Sequence, residues 1–292
     1  MATVTACSTL GYAGFDLGFA LNRIAARGFR KVEIAEMDTY CRHLPYRQVD
    51  ISQVKDLLAA SGLTPVAINT TCPRMIDHNR RVTPDTERGY EDDVAEFAQW
   101  YFEAARTLGV DIVTFPIGLR VSEGDWSAKA RRAVPLYRRL ADLAQDCGVT
   151  VHLEVPHLYQ LTDTVEHVRA IFSELDHPAV AATVDASHWG IIRYDLNSFF
   201  RFLGPRLRHA HLRDSAGADT KDFKQNLELT PGRGTVDFAA FGAALDRMNY
   251  RGEVSLESEY RHTNAANIES EHDFAIQSLR HANWQVDCRA PS

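Results

Sequence analysis

Residues 146–157 read Asp-Cys-Gly-Val-Thr-Val-His-Leu-Glu-Val-Pro-His (DCGVTVHLEVPH), and this stretch is the best guide to the fold. Gly148 ends an amphipathic helical pattern over 127–147, and the apolar, β-branched run after it is typical of a strand buried on both faces. The same order of helix, glycine and strand recurs at Arg27-Gly28, Ser61-Gly62 and Leu108-Gly109. This repeated alternation predicts an α/β protein.

Eight short apolar segments are predicted strands, and helical patterns separate them, most clearly over 86–108 and 127–147. The predicted strands are 3–8, 31–35, 64–69, 110–116, 149–155, 180–185, 207–212 and 253–258. Eight strands that alternate with helices indicate one (β/α)8 TIM barrel domain over 1–292, with the last helix and a C-terminal extension over about 270–292. A doubly wound open sheet is the alternative, but no glycine-rich phosphate fingerprint follows the first strand.

The composition argues against several classes of protein. A net charge of −7 does not suit a surface that neutralises nucleic-acid phosphates. No apolar run approaches the roughly 20 residues that span a bilayer, and the first residues lack the pattern of a signal peptide. The 5 cysteines are scattered without a CxxC pair, which fits reduced thiols. We therefore expect a soluble, cytoplasmic protein without nucleic-acid or membrane partners.

Four consecutive predicted strands carry potential metal ligands near their C-terminal ends. These are Glu154, Asp185, His211 and Glu257, on strands five to eight. Strand ends of this kind meet at one face of a barrel, where three carboxylates would repel one another unless a cation lay between them. Oxygen ligands with one imidazole predict one divalent ion, Mn²⁺ first, with Mg²⁺, Co²⁺ and Zn²⁺ as alternatives.

Single residues at these strand ends also have structural interpretations. Asp185 alone is equally consistent with a helix cap. His152 and His209 are expected to pack or hydrogen-bond inside the barrel rather than bind metal. Arg213 and Asp214 are consistent with a loop salt bridge of little energetic weight. The functional interpretation depends on the four candidate ligands lying on successive strands.

Five segments of the second half resemble the xylose isomerase-like barrel superfamily of sugar isomerases and epimerases. They are HLEVPH (152–157), TVDASHWG (183–190), HAHLRD (209–214), PGRGTVDF (231–238) and GEVSLESEY (252–260). The superfamily includes ketose 3-epimerases, inosose dehydratase and related lyases. The resemblance covers nearly the whole chain in element order, and it implies the same four metal ligands.

The resemblance also implies catalytic roles. Glu154 and Glu257 would act as acid and base on opposite faces of a substrate carbon, while the metal polarises the adjacent carbonyl and stabilises an enediolate. His188 would contact a substrate oxygen. In the ketose epimerases an arginine lies several residues beyond the strand-seven histidine, whereas here Arg213 follows His211 by two, as in the inosose-dehydratase and lyase branch.

The predicted function is a divalent-metal-dependent isomerase or epimerase of a sugar, keto-sugar or cyclitol. The alternative is a lyase or dehydratase of a keto-sugar, inosose or 3-keto-glycoside at the same site. An endonuclease IV-like phosphodiesterase and a non-catalytic binding barrel are further alternatives. The predicted substrate-binding residues are His188, Arg213, Asn69 and Trp126, with His78, Arg88 and Arg233 as additional candidates. A homo-oligomer, dimer or tetramer, is expected.

Overall fold

The structure is a computed structural model. It describes residues 1–37, 40–71, 84–117, 126–158, 160–217, 226–259 and 264–288, with the side chains of the helix that begins at Pro84 described from residue 91. Two residues that the sequence suggests for the substrate pocket, His78 and the side chain of Arg88, lie outside the described residues.

Eight parallel strands form a closed barrel, because each pairs with its neighbours along the chain and the first also pairs with the last. The strands are β1 (Ala6–Ser8), β2 (Lys31–Met37), β3 (Thr64–Thr70), β4 (Ile112–Thr114), β5 (Thr150–Glu154), β6 (Val180–Asp185), β7 (Leu207–Leu212) and β8 (Glu253–Leu256). The predicted (β/α)8 barrel is confirmed, and the predicted bounds of β6 and β7 match to the residue.

Helices follow the strands and surround the barrel. Those within the described ranges are α1 (Leu17–Ala26), α2 (Ile51–Ser61), α3 (Pro84–Leu108), α4 (Trp126–Asp146), α5 (Val165–Glu174), α6 (Ala186–Ile192), α7 (Leu196–Leu203), α8 (Phe238–Arg247) and α9 (Ala265–His281). Gly28, Gly62, Gly109 and Gly148 follow the first four helices with φ of 83°, 68°, 75° and 71°. Glycine adopts this left-handed conformation without steric cost, so these residues end the helices as predicted.

The ends of the chain differ from the predicted bounds. The predicted strand 3–8 is divided, because Thr3–Val4 pairs with Gln285–Val286 while β1 joins the barrel. The last helix begins at Ala265 rather than near 270, since the Asn264 side chain accepts a hydrogen bond from the Ala266 amide and caps it.

Short elements complete the description. The strand Cys41–Arg42 pairs antiparallel with β2, and 3₁₀ turns cover Thr9–Tyr12 and Gly204–Arg206. In the part of the chain that the structure describes, no helix combines the length and the apolar character needed to cross a membrane.

The interior of the barrel is polar, whereas large apolar side chains fill the space between strands and helices. Hydrogen bonds join strands that are not neighbours, such as Glu33 on β2 with His209 on β7 and Thr114 on β4 with Thr183 on β6. These contacts must cross the interior. The fully buried outer core includes Phe102, Tyr137, Phe172, Phe200 and Phe241. The apolar shell holds the barrel rigid beneath the site at its C-terminal face.

Candidate metal centre

The C-terminal ends of β5 to β8 bring Glu154, Asp185, His211 and Glu257 together. Each offers one ligand atom, and these atoms all lie within 4.8 Å of one another. None of the four residues is more than 8% exposed. Buried carboxylates are costly unless a cation or hydrogen bonds compensate them. Three carboxylates and one imidazole at this spacing therefore fit a divalent metal ion.

The strand ends and two side-chain hydrogen bonds orient these carboxylates. Asp185 ends β6 and caps α6, because its Oδ1 accepts a 2.7 Å hydrogen bond from the Ser187 amide. Its Oδ2 accepts a hydrogen bond from Arg213 Nη2. Glu257 follows β8 directly, and its Oε1 accepts a 2.9 Å hydrogen bond from Asn69 Nδ2 on β3. Asn69 therefore lies at the cluster, with its amide nitrogen bound to a carboxylate.

His211 faces the cluster with one nitrogen and the barrel interior with the other. Its Nδ1 lies 3.4 Å from Glu154 Oε1 and 3.5 Å from Glu257 Oε2. Its Nε2 lies 3.0 Å from Glu33 Oε2. Sequence reasoning missed Glu33, although a glutamate between Val32 and Ile34 in a buried strand is the same signal that drew attention to Glu154.

The surroundings push the two glutamates toward opposite protonation states. Burial is the largest influence on Glu257 and raises its pKa to about 8, although His211 and Arg213 oppose the shift. Burial acts in the same direction on Glu154. There, however, the hydrogen bond with His211 and the charges of neighbouring imidazoles together hold the pKa well below its usual range. The two carboxyl groups therefore have different surroundings within one cluster, as the paired acid and base groups of an active site do.

Arg213 lies beside the cluster, and its guanidinium group is paired with two carboxylates. Its Nη2 donates to Asp185 Oδ2 at 2.7 Å and its Nη1 to Glu259 Oε2 at 2.7 Å. Tyr40 donates its hydroxyl to the other oxygen of Glu259. The suggested salt bridge between Arg213 and Asp214 is wrong, because the two side chains leave the end of β7 in opposite directions.

Asp214 instead organises the segment after β7. Its two carboxylate oxygens accept hydrogen bonds of 2.8 to 3.0 Å from the backbone amides of Ser215, Gly232, Gly234 and Val236. A Cβ at Gly234 would overlap with the Ser215 carbonyl oxygen and the Asp214 carboxylate. Close backbone packing around this carboxylate therefore requires glycine at position 234.

His188 lies beside Glu154 with an unused nitrogen. Its Nδ1 accepts a hydrogen bond from the Leu158 amide at 3.5 Å, while its Nε2 is buried and has no partner among the described residues. Burial lowers the pKa of His188, as it does that of the adjacent His157, to about 3. Both rings are neutral at pH 7. With Nδ1 as an acceptor, His188 carries its hydrogen on Nε2 and can donate it to a ligand oxygen.

A cavity of about 330 Å³ opens at this face of the barrel. Its lining includes Glu154, Glu257, Arg213 and Asn69, with Leu10, Met37, Tyr40, Thr70, His157, Gln160, Glu228 and Glu259 among the other described residues. Carboxylates, amides, hydroxyls and a few apolar side chains suit a small polar ligand.

Two residues that the sequence suggested for the pocket point elsewhere. Trp126 stacks on His167 with ring centroids 4.0 Å apart and donates its Nε1 to the Leu161 carbonyl. It is not among the described residues that line the cavity. Arg233 pairs with Glu271 on α9. Both side chains hold elements together on the outside of the barrel.

A closed (β/α)8 barrel with a candidate metal site at the C-terminal ends of its strands defines the class to which this chain belongs. The profile of the xylose isomerase-like TIM barrel family matches residues 21–279. The chain therefore belongs to the xylose isomerase-like TIM barrel family, as the motifs of its second half predicted.

Named relatives carry more than one activity. A ketose 3-epimerase of Arthrobacter globiformis is 32% identical over 275 residues, with 86% of this chain and 82% of that protein covered. A 3-dehydroshikimate dehydratase of Pseudomonas putida is 26% identical over 242 residues, with 81% of this chain and 35% of that protein covered. Among solved structures, D-psicose 3-epimerase of Clostridium cellulolyticum H10, crystallised with D-tagatose, superposes with a TM-score of 0.74 at 18% identity, covering 97% of this chain and 99% of that one.

Proposed function

We propose that this protein is a divalent-metal-dependent isomerase or epimerase of a sugar, keto-sugar or cyclitol. The observation that carries the proposal is the pair of buried glutamates, Glu154 and Glu257, in one candidate metal cluster with Asp185 and His211. Membership of the family and the 32% sequence identity to a ketose 3-epimerase support the same activity.

The proposed ligands are Glu154, Asp185, His211 and Glu257. Three oxygen donors and one imidazole suit Mn²⁺ best, and Mg²⁺, Co²⁺ or Zn²⁺ would also be accepted by this set. When bound, the cation supplies a Lewis acid that eases the build-up of negative charge on a substrate carbonyl oxygen.

The remaining chemistry belongs to the side chains. Glu154, held ionised, would accept the proton from the carbon next to the carbonyl. Glu257 would return a proton to the same carbon, and Asn69 holds one of its oxygens in place. His188 would donate its Nε2 hydrogen to a substrate oxygen. This division between one base and one acid is what epimerisation at a single carbon requires.

The charges at the cavity favour an uncharged polyol. Four glutamates line it among the described residues, namely Glu154, Glu228, Glu257 and Glu259. Arg213 is the one described arginine of the lining, and both of its terminal nitrogens already bind carboxylates. A phosphate or carboxylate on the substrate would therefore meet repulsion rather than a free guanidinium, so we propose an unphosphorylated substrate.

Exchange in D₂O tests the proposed function directly. The protein, loaded with Mn²⁺, is incubated with a panel of free ketoses and keto-cyclitols, and the products are analysed by NMR and mass spectrometry. We expect deuterium at the carbon next to the carbonyl without other change in mass, and loss of this exchange in Glu154→Gln and Glu257→Gln.

Glu253→Gln is the matched control. Glu253 begins β8, at the end of the strand opposite to Glu257, and pairs with Lys31. This variant should exchange like the wild type. Absence of exchange with every substrate in the metal-loaded wild type would contradict the proposal.

A dehydratase or lyase is the second candidate function. The 26% sequence identity to a 3-dehydroshikimate dehydratase supports this candidate, as does the position of Arg213 two residues after His211. Both reactions begin with removal of a proton next to a carbonyl, but a dehydratase then expels a β-hydroxyl. The same incubation separates them, because a dehydratase yields an unsaturated product that has lost water.

A further inference from the structure

We propose that Glu33 is a positioning residue that fixes the His211 ring in the tautomer able to bind the metal through Nδ1. The inference rests on the proposed function, because it assumes that a metal ion occupies the four-residue cluster. Glu33 does not line the cavity among the described residues, so it would act through His211 rather than on the substrate.

Glu33 reaches His211 across the barrel interior. It lies on β2, whereas His211 lies on β7, and these strands are not neighbours in the sheet. One oxygen, Oε2, lies 3.0 Å from His211 Nε2 and 2.5 Å from His209 Nε2. All three side chains are fully buried.

The hydrogen-bonding capacity of a carboxylate decides the tautomer. An ionised carboxylate only accepts, so both imidazoles must present an N–H group at Nε2. The lone pair of a neutral His211 therefore lies on Nδ1. That atom faces Glu154 Oε1 and Glu257 Oε2 at 3.4 and 3.5 Å, the position where a cation would be shared.

A purely structural role does not account for a charged residue here. The second oxygen of Glu33, Oε1, is buried without a partner among the described residues. A buried charge of this kind is costly, and a neutral amide would also accept a hydrogen bond from histidine. What the charge adds is a stronger pull on the Nε2 hydrogen. A carboxylate behind a metal-binding histidine raises the basicity of the ring and fixes its orientation.

His209 holds Glu33 in this position. Its Nε2 contacts Glu33 Oε2 at 2.5 Å and lies 3.3 Å from the Ser255 hydroxyl on β8. The nitrogens of two rings thus converge on one oxygen, and a carboxylate oxygen can accept a hydrogen bond from both.

Metal affinity and tautomer are the two readouts. Calorimetric titration with Mn²⁺ compares the wild type with Glu33→Gln and His152→Gln. His152 is another fully buried barrel histidine, but its hydrogen bonds go to Thr183 and Thr150. We expect Glu33→Gln to bind Mn²⁺ about 10- to 100-fold more weakly, and His152→Gln to bind like the wild type.

Long-range ¹H–¹⁵N NMR of the metal-free protein, at a pH where the His211 ring is neutral, reports the tautomer itself. We expect the His211 hydrogen on Nε2 in the wild type and a mixed population in Glu33→Gln. Equal Mn²⁺ affinity in wild type and Glu33→Gln, or a wild-type His211 that carries its hydrogen on Nδ1, would overturn the inference. The wild-type spectrum decides the matter even if the variant does not fold.

The two proposals fail in different ways. A wild type that binds no divalent ion contradicts the proposed metal site and the function built on it. A wild type that binds Mn²⁺ normally, with Glu33→Gln equal to it, contradicts only the role of Glu33.

Discussion

The two oxygens of Asp185 have separate partners, and this division links the metal cluster to Arg213. Oδ1 accepts from the Ser187 amide and caps α6, while Oδ2 accepts from Arg213. The two interpretations that the sequence left open, a cap and a functional carboxylate, are therefore compatible. The sequence predicted which residues meet at the strand ends because the position of each on its strand is a local property.

Partners from distant strands could not be predicted in this way. Glu33 is 178 residues from His211, and their contact exists only because the barrel closes. The contact of Glu259 with Arg213 is different, because these residues follow the neighbouring strands β8 and β7. Periodicity reports the face of a strand but not which residue stands opposite across the interior.

Removing the Arg213 charge should destabilise the metal-free protein. Arg213 is 6% exposed and neutralises Asp185 and Glu259. Loss of one partner from a buried ion pair costs about 3–5 kcal/mol. We expect Arg213→Gln to lower the free energy of unfolding by this amount, measured by urea denaturation, and Mn²⁺ to restore part of it because the cation compensates Asp185.

Arg233→Gln is the control for this prediction. The Arg233–Glu271 pair is half exposed on the arginine side, and exposed pairs contribute about 0–1 kcal/mol. If the two variants lost equal stability, the buried ion pair would not be the important contact.

At the level of elements, the turn between β7 and α8 depends on one carboxylate. The sequence drew attention to its Pro-Gly-Arg-Gly stretch but suggested the wrong partner for Asp214. Alternation along the chain sends Arg213 toward the site and Asp214 toward the following segment. Four backbone amides on one side chain form a pattern that only the folded path of the chain creates.

Asp214→Asn should loosen this segment. An asparagine offers one accepting oxygen where the aspartate offers two, and its NH₂ group would face amide hydrogens. Hydrogen bonds to a charged group contribute about 1.5–3 kcal/mol each, so we expect a loss of at least this size. Hydrogen exchange at the amides of residues 232–236 should accelerate markedly.

Asp237→Asn provides the comparison. Asp237 caps α8 through the Ala240 amide, and asparagine is an equally good cap. Exchange at 232–236 should remain as in the wild type. Faster exchange there in both variants would mean that the segment responds to any change of charge and not to the Asp214 hydrogen bonds.

On the scale of the whole molecule, one buried histidine couples stability to pH away from the candidate metal centre. His272 on α9 packs edge-on against Tyr12, with ring centroids 5.5 Å apart. This contact joins α9 to the 3₁₀ turn Thr9–Tyr12 that follows β1. Burial lowers its pKa from 6.5 to about 4. The unfolded chain therefore binds a proton at a higher pH than the folded protein does.

Stability should accordingly fall as the pH falls from 6.5 to about 4. In that interval the unfolded state holds the proton and the native state does not, so acid favours unfolding. This pKa shift of His272 corresponds to a change in the free energy of unfolding of about 3 kcal/mol at most. We expect His272→Phe to remove this part of the pH dependence in chelator-treated protein, while His281→Gln, at the exposed end of the same helix, retains it. Parallel stability-against-pH curves for wild type and His272→Phe would show that His272 is not the group responsible.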